Sequence, residues 1–431
     1  MIKTLTSAFK NKDIRKKLLY TLMMLVVIRI GSLLPIPGVD TEYFSTLLSG
    51  FNSGDLSYLS AFTGGSFEKM SLFALSITPY ITSSIIMQLL TIAIPKLEEM
   101  QKEGEDGRKK IASITRYVTI ALALIESIAM AVGFGRQGLI KDYKDMSTIH
   151  YVTCIIVVVA ALTAGSAVLM WIGERITEKG VGNGISIVLL INIISGMPSD
   201  FVTLYSTFVA NKSIARGVTV AVIIAAIVIA VVVLVVILQD GERRIPVQYS
   251  QKVAGRKTIG GQATNIPLKV NTAGVMPIIF ASSIMQFPVI IVQLFTSNSY
   301  EWTKYLSQSY WCRVQMPKYS IGLLLYIILV VVFAYFYTSI TFNPVQIADN
   351  LKKAGGVVPG ITPGRSTSEY LNKILNYIVF IGAVGLMIVA LIPIMCTGFF
   401  NASVSFGGTS IIIIVGVVLE TMKQIESMMV N

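Results

Sequence analysis

The chain has 431 residues, of which 54% are apolar and only 13% charged, and its mean hydropathy is +0.71. A soluble domain of this length needs far more surface charge, so the composition excludes one and indicates a polytopic membrane protein. The net charge of +12 is explained below by topology, so direct DNA binding is not expected.

The cytosolic N-terminal segment 1–17 ends in "KNKDIRKK" and leads into a first span near 18–36. Basic residues before an apolar run are also the mark of a signal peptide. This run is too long for one and no small-residue cleavage site follows, so it reads as a retained span. Segment 55–69, "DLSYLSAFTGGSFEK", is too short to cross and is closed by Gly64 and Gly65. It fits a short re-entrant helix with a hinge behind it, or equally an amphipathic stretch lying on the surface.

Span 2, near 70–95, is unusually polar: Ser71, Ser76, Thr78, Thr82, Ser83, Ser84 and Thr91 bring hydroxyls, and Gln88 an amide. Pro79 cannot donate to the carbonyl of Leu75, which predicts a weak point in that helix. Thr78 and Thr82, Ser84 and Gln88, and Ile77 and Ile81 are each four apart and share faces. Spans 3 to 6 follow near 112–134, 149–172, 183–204 and 217–238. Gly180, Gly182 and Gly184 precede span 5 without the spacing of a phosphate loop, and fit a compact turn.

Loop 239–271 alternates in two halves, "RRIPVQYSQKV" and "RKTIGGQATN", which predicts a cytosolic β-hairpin. Span 7, near 272–296, repeats the style of span 2 with Pro277, Ser282, Ser283, Gln286 and Pro288. The two polar spans either meet along a seam or make ordinary interhelical hydrogen bonds. Span 8 near 319–341, loop 342–372, and spans 9 and 10 near 373–395 and 408–426 complete the chain, with a short tail at 427–431.

Ten spans with both termini in the cytosol satisfy the positive-inside rule. Counting Arg116, Lys373 and Lys423 with the loops they border, the cytosolic side holds 25 Lys and Arg, the outer side nine, and Arg29 lies within span 1. Five spans per half, 18–204 and 205–426, force the halves into opposite orientations, with a site or pore between them. Cys154, Cys312 and Cys396 are scattered and His150 is the only histidine, so no metal site or cofactor is expected. Arg29 and Glu126 are the clear intramembrane charges, and they fit a structural pair. An ion-coupled transporter would use Glu126 as its titrating carboxylate. A scaffold without a through-pore is a third reading.

Several motifs carry a resemblance: "IRIGSLLPIPGVD", "FTGGSFEKMSLFALSITPYITSSIIMQLL", "KEGEDGRKKIASITRY", "GNGISI", "IPLKVNTAGVMPIIFASSI", "FNPVQIADNLKKAGGVVPGITPG" and "FGGTSIIII". In this order, from about residue 15 to 428, the chain resembles the bacterial SecY family, channel subunits of the Sec protein translocase. The resemblance implies an all-α membrane protein whose two five-helix halves surround a central pore. Through that pore unfolded preproteins pass, and apolar helices leave sideways into lipid under the direction of signal sequences. It implies no enzymatic activity. The implied partners are SecE-like and SecG-like membrane subunits, a SecA-like ATPase, the translating ribosome and membrane lipids.

By the same resemblance the pore ring is Ile77, Ile81, Ile185, Leu189, Ile279 and Ile413. The plug is 55–68, with Leu56, Leu59, Phe62, Gly64 and Gly65. The lateral gate is formed by spans 2, 3, 7 and 8, with Thr82 and Gln88 on span 2 and Ser283 and Phe287 on span 7, Thr82 and Phe287 facing. Motor or ribosome docking falls to Arg243, Arg244, Arg256, Lys257, Lys352, Lys353 and Arg365. The chain departs from the family pattern in loop 342–372: Thr362 stands where bacterial members carry an arginine, and "NPVQ" replaces Asn-Pro-Arg-Glu. Loop 239–271 departs too, since "QDGERR" lacks the usual glutamate-arginine pair.

Overall fold

The computed structural model describes residues 6, 8–50, 63–141, 147–206, 214–249, 252–254, 257–259, 263–295, 300–313, 315–400 and 408–430. The first half contains α1 (Lys12–Leu33), α2 (Thr41–Gly50), α3 (Thr78–Ala93), α4 (Pro95–Lys102), α5 (Glu105–Phe134), α6 (Thr148–Lys179) and α7 (Gly184–Leu204). The second half contains α8 (Ile214–Asp240), α9 (Met276–Phe295), α10 (Glu301–Leu306), α11 (Ile321–Thr341), α12 (Pro344–Lys353), α13 (Arg365–Phe400) and α14 (Gly408–Val430).

Among the described residues, six helical stretches are long and apolar enough to cross a membrane, and they include α5, α6, α7, α8, α11 and α13. The other four expected spans coincide with α1, α3, α9 and α14. Each of these is shortened, bent or interrupted by charge. α1 opens with Lys12, Arg15, Lys16 and Lys17, and α14 closes with Glu420, Lys423 and Glu426. α3 and α4 meet at Ile94 with a bend of 104°. Pro95, in the first turn of α4, enforces that break, because the residue before a proline is pushed out of the helical region.

Side chains start several of these helices. Asn183 accepts from the Ile185 N–H at 3.1 Å to begin α7, and Asn343 accepts from Val345 and Gln346 to begin α12. Each satisfies a donor the helix leaves open.

The expected hairpin forms: β1 (Glu242–Tyr249) pairs antiparallel with β4 (Ala263–Lys269), from Glu242 opposite Lys269 to Gln248 opposite Ala263. Short strands β2 (Lys252–Ala254) and β3 (Lys257–Ile259) extend its tip. A third partner comes from loop 342–372: β5 (Gly356–Val357) pairs with the far edge of β1. The sheet order is β4-β1-β5. Beneath it Ile245, Val247, Leu268, Leu351, Val358 and Leu371 form a small core of their own.

The largest apolar cluster lies where the halves meet. It joins residues of α3, α6 and α7 to residues of α8, α9, α11, α13 and α14.

Candidate channel and gate

The span 2 region is not a helix from residue 70. Residues 64–77 run as turns and a bridge, and α3 begins only at Thr78. Pro79 therefore sits in the first turn of α3, where its missing N–H has no intrahelical acceptor in any case. The expected mid-helix weak point is corrected: this proline starts a helix.

Irregular backbone at membrane depth must find its hydrogen bonds within the protein. Here the donors come from three neighbouring helices. Asn192 of α7 donates to the Ser76 hydroxyl at 3.1 Å, and Ser166 of α6 donates to the Ser76 carbonyl at 3.5 Å. Arg29 of α1 and Ser195 of α7 both reach the Gly64 carbonyl, at 3.4 and 3.5 Å. Ser76 itself is held at φ +53°, in the left-handed region. Gly165 of α6 makes room for this stretch, since a Cβ there would stand 1.8 Å from the Leu72 carbonyl oxygen. Arg29 thus serves the turn beside Gly64. Among the described residues no ion pair joins it to Glu126.

The hydroxyls of α3 divide by role. Thr82 donates to the Thr78 carbonyl at 3.1 Å and Thr91 to that of Met87 at 2.7 Å, so these hydroxyls are satisfied within their own helix. Ser83 reaches across to the Thr115 carbonyl of α5 at 2.9 Å, an interhelical tie. Ser84 and Gln88, joined by Thr91, line a cavity of about 290 Å³ together with Tyr80, Arg108 and Thr115, with Ile340 of α11 at its edge. The Gln88 amide oxygen is buried there without a hydrogen-bond partner.

Five of the six expected ring residues are buried in the single large cluster: Ile77, Ile81, Leu189, Ile279 and Ile413. Ile185, in the first turn of α7, is half-buried and packs against that cluster. Residues remote in sequence, from α3, α7, α9 and α14, are therefore brought together. On the gate, Ser283 is half-buried and Phe287 is 45% exposed on α9. No hydrogen bond or ring contact joins Thr82 to Phe287 among the described residues. α3 packs on α5, while α9 packs mainly on α11 and also on α5.

Of the plug, Leu56, Leu59 and Phe62 lie outside the described residues. Gly64 and Gly65 lie within them, with φ of +61° and +77°. At Gly64 a Cβ would stand 2.6 Å from Ser195 Oγ and 2.9 Å from the Asn192 carbonyl oxygen, so glycine is required twice over.

The basic residues named for docking sit on the sheet and its flanks. Arg243 and Arg244 are exposed on β1, with Arg244 paired to Glu242 at 2.7 Å. Lys352 and Lys353 are exposed in the last turn of α12. Arg365, at the start of α13, pairs with Glu369 at 3.0 Å. Lys257 belongs to β3, and Arg256 lies outside the described residues.

Residues 71–422 match the profile of the SecY family. The chain belongs to that family. The protein translocase subunit SecY of Streptomyces galbus is 42% identical over 442 residues, covering 99% of this chain and 97% of that protein. The corresponding subunit of Halalkalibacterium halodurans is 40% identical, covering 100% and 98%. Among solved structures, one described as a protein conducting channel superposes with a TM-score of 0.63 at 18% identity, covering 96% of this chain and 93% of that one. Sec61 from a canine ribosome-channel complex of the endoplasmic reticulum gives 0.62 at 16% identity, with the same coverages. The fold is thus that of the SecY channels: all-α, two five-helix halves around a central pore.

Sequence reasoning missed the support for the irregular turn at 64–77. The signal was present as Asn192, a lone amide inside the apolar run "IVLLINIISG". It also missed β5, whose two residues carry no alternation to read.

Proposed function

We propose that this SecY-family chain is a protein-conducting channel that passes unfolded preproteins across the membrane and releases apolar helices sideways into lipid. One observation carries the reading. Ile77, Ile81, Leu189, Ile279 and Ile413, drawn from both halves, lie buried in one apolar cluster where the halves meet. Such a collar of aliphatic side chains yields around a passing peptide, and when narrow it disfavours water and ions by dewetting. With Ile185 it forms the pore ring. The half boundary falls between residues 204 and 205, and segment 55–68 is the plug, hinged at Gly64 and Gly65.

The lateral exit lies along α3 and α9, with Thr82, Gln88, Ser283 and Phe287 along its edges. The cavity beside Gln88, between α3, α5 and Ile340 of α11, supports the α3 edge of that exit. The chain performs no catalysis, so the work comes from a driver in the cytosol, a SecA-like ATPase or a translating ribosome. The exposed Arg243, Arg244, Lys352 and Lys353, with Arg256, Lys257 and Arg365, form the platform for it. SecE-like and SecG-like subunits complete the complex in a bacterial cytoplasmic membrane, with both termini cytosolic.

The test is site-specific photocross-linking in cells that carry a stalled secretory chain. A probe at Ile81 is expected to give a strong adduct. A probe at Val233, which is 49% exposed on α8 and faces lipid, is expected to give none. Absence of the Ile81 adduct in a folded, assembled complex would defeat the channel reading.

A further inference from the structure

The outer connection between α9 and α11 does not stay at the surface. Ser307 and Trp311 are fully buried, and Trp311 belongs to the same apolar cluster as Ile279 and Ile413. The segment 307–312 is thus folded inward as a strap between three spans.

Its three attachments differ in strength. Against α11, the Trp311 ring lies 5.5 Å from that of Tyr326, and the Cys312 N–H donates to Ser320 at 3.1 Å. Against α13, the strap runs so close to Gly398 that a Cβ there would stand 2.7 Å from the Cys312 Cβ and from the Trp311 and Cys312 carbonyl oxygens. These are packed contacts that no small motion releases. Against α9 the strap makes a long polar contact: the Gln308 amide donates to the Ser282 hydroxyl at 3.4 Å. Ser282 is buried, one helical turn beyond Ile279. A displacement of Ile279 that widens the collar therefore moves Ser282 and breaks this bond first.

We infer that Gln308 is a positioning residue for the pore: through Ser282 it holds α9 closed, and it releases α9 when a chain passes. The inference rests on the channel reading above. Neutral hydrogen bonds suit this task, because one bond of this kind biases an equilibrium only about fivefold and stays reversible.

The test uses the assembled complex with Cys154, Cys312 and Cys396 replaced by serine, and with Ser282→Cys and Gln308→Cys. A short bis-methanethiosulfonate reagent bridges the pair and is removed by reduction. Preprotein passage is expected to fall about tenfold in the bridged complex, to return on reduction, and to be unaffected by the reagent in either single-cysteine chain. Undiminished passage through the bridged complex, or failure of the pair to bridge, overturns the inference. If the complex passes nothing even when reduced, and the cysteine-bearing parent also passes nothing, the channel reading fails instead. A Gln308→Leu chain supplies a second measurement. Its ion leak without substrate is expected to rise about fivefold. An unchanged leak in a folded complex counts against the latch.

Discussion

At the scale of single residues, Gly64 is tightly constrained. It combines a left-handed backbone with a wall made of Ser195 and of the Asn192 carbonyl, which cannot move aside. Gly64→Val is expected to destabilise the protein by about 1–3 kcal/mol through strain and overlap. Thermal unfolding of the purified complex measures this. Arg29→Gln should be milder, since Ser195 still reaches the Gly64 carbonyl. Its signature is faster hydrogen exchange in residues 63–77 with the global unfolding temperature little changed. The same residues show why part of the site was hidden in the sequence. Asn192 and Ser76 are 116 positions apart, and Ser195 and Gly64 are 131 apart. No local pattern announces such a partner, whereas a polar residue in an apolar run announces only that one must exist.

At the scale of elements, the apolar runs were legible because a lipid-spanning helix has to be apolar for about 20 residues. The hairpin was legible from its alternation. What misled was proline: the chemistry that bars it from a helix interior also favours it in a first turn, and Pro79 lies where both readings fit. The two readings differ in a measurable way. With Pro79 in the first turn of α3, Pro79→Ala is expected to change stability by less than about 1 kcal/mol. A kinked helix interior would instead gain a hydrogen bond and stiffen, and the variant would unfold at clearly higher temperature. The hydroxyl stripe was half legible. Its periodicity was right, but only the structure separates Thr82 and Thr91, which bond within α3, from Ser83, which ties α3 to α5.

At the scale of the whole molecule, the distribution of positive charge predicts orientation. Lys352 follows α11 and Lys318 precedes it, and both are exposed. With the native cysteines replaced, Lys352→Cys is expected to react with a membrane-impermeant maleimide only from the cytosolic side. Lys318→Cys should react only from the outside. The reverse pattern would turn the protein over and place the basic platform outside the cell.

The three-stranded sheet has its own consequence at this scale. β1 and β4 hang from α8 and α9, while β5 hangs between α11 and α13. The helices α8, α9, α11 and α13 are therefore joined through a single sheet. A load placed on either loop is shared among all four helices.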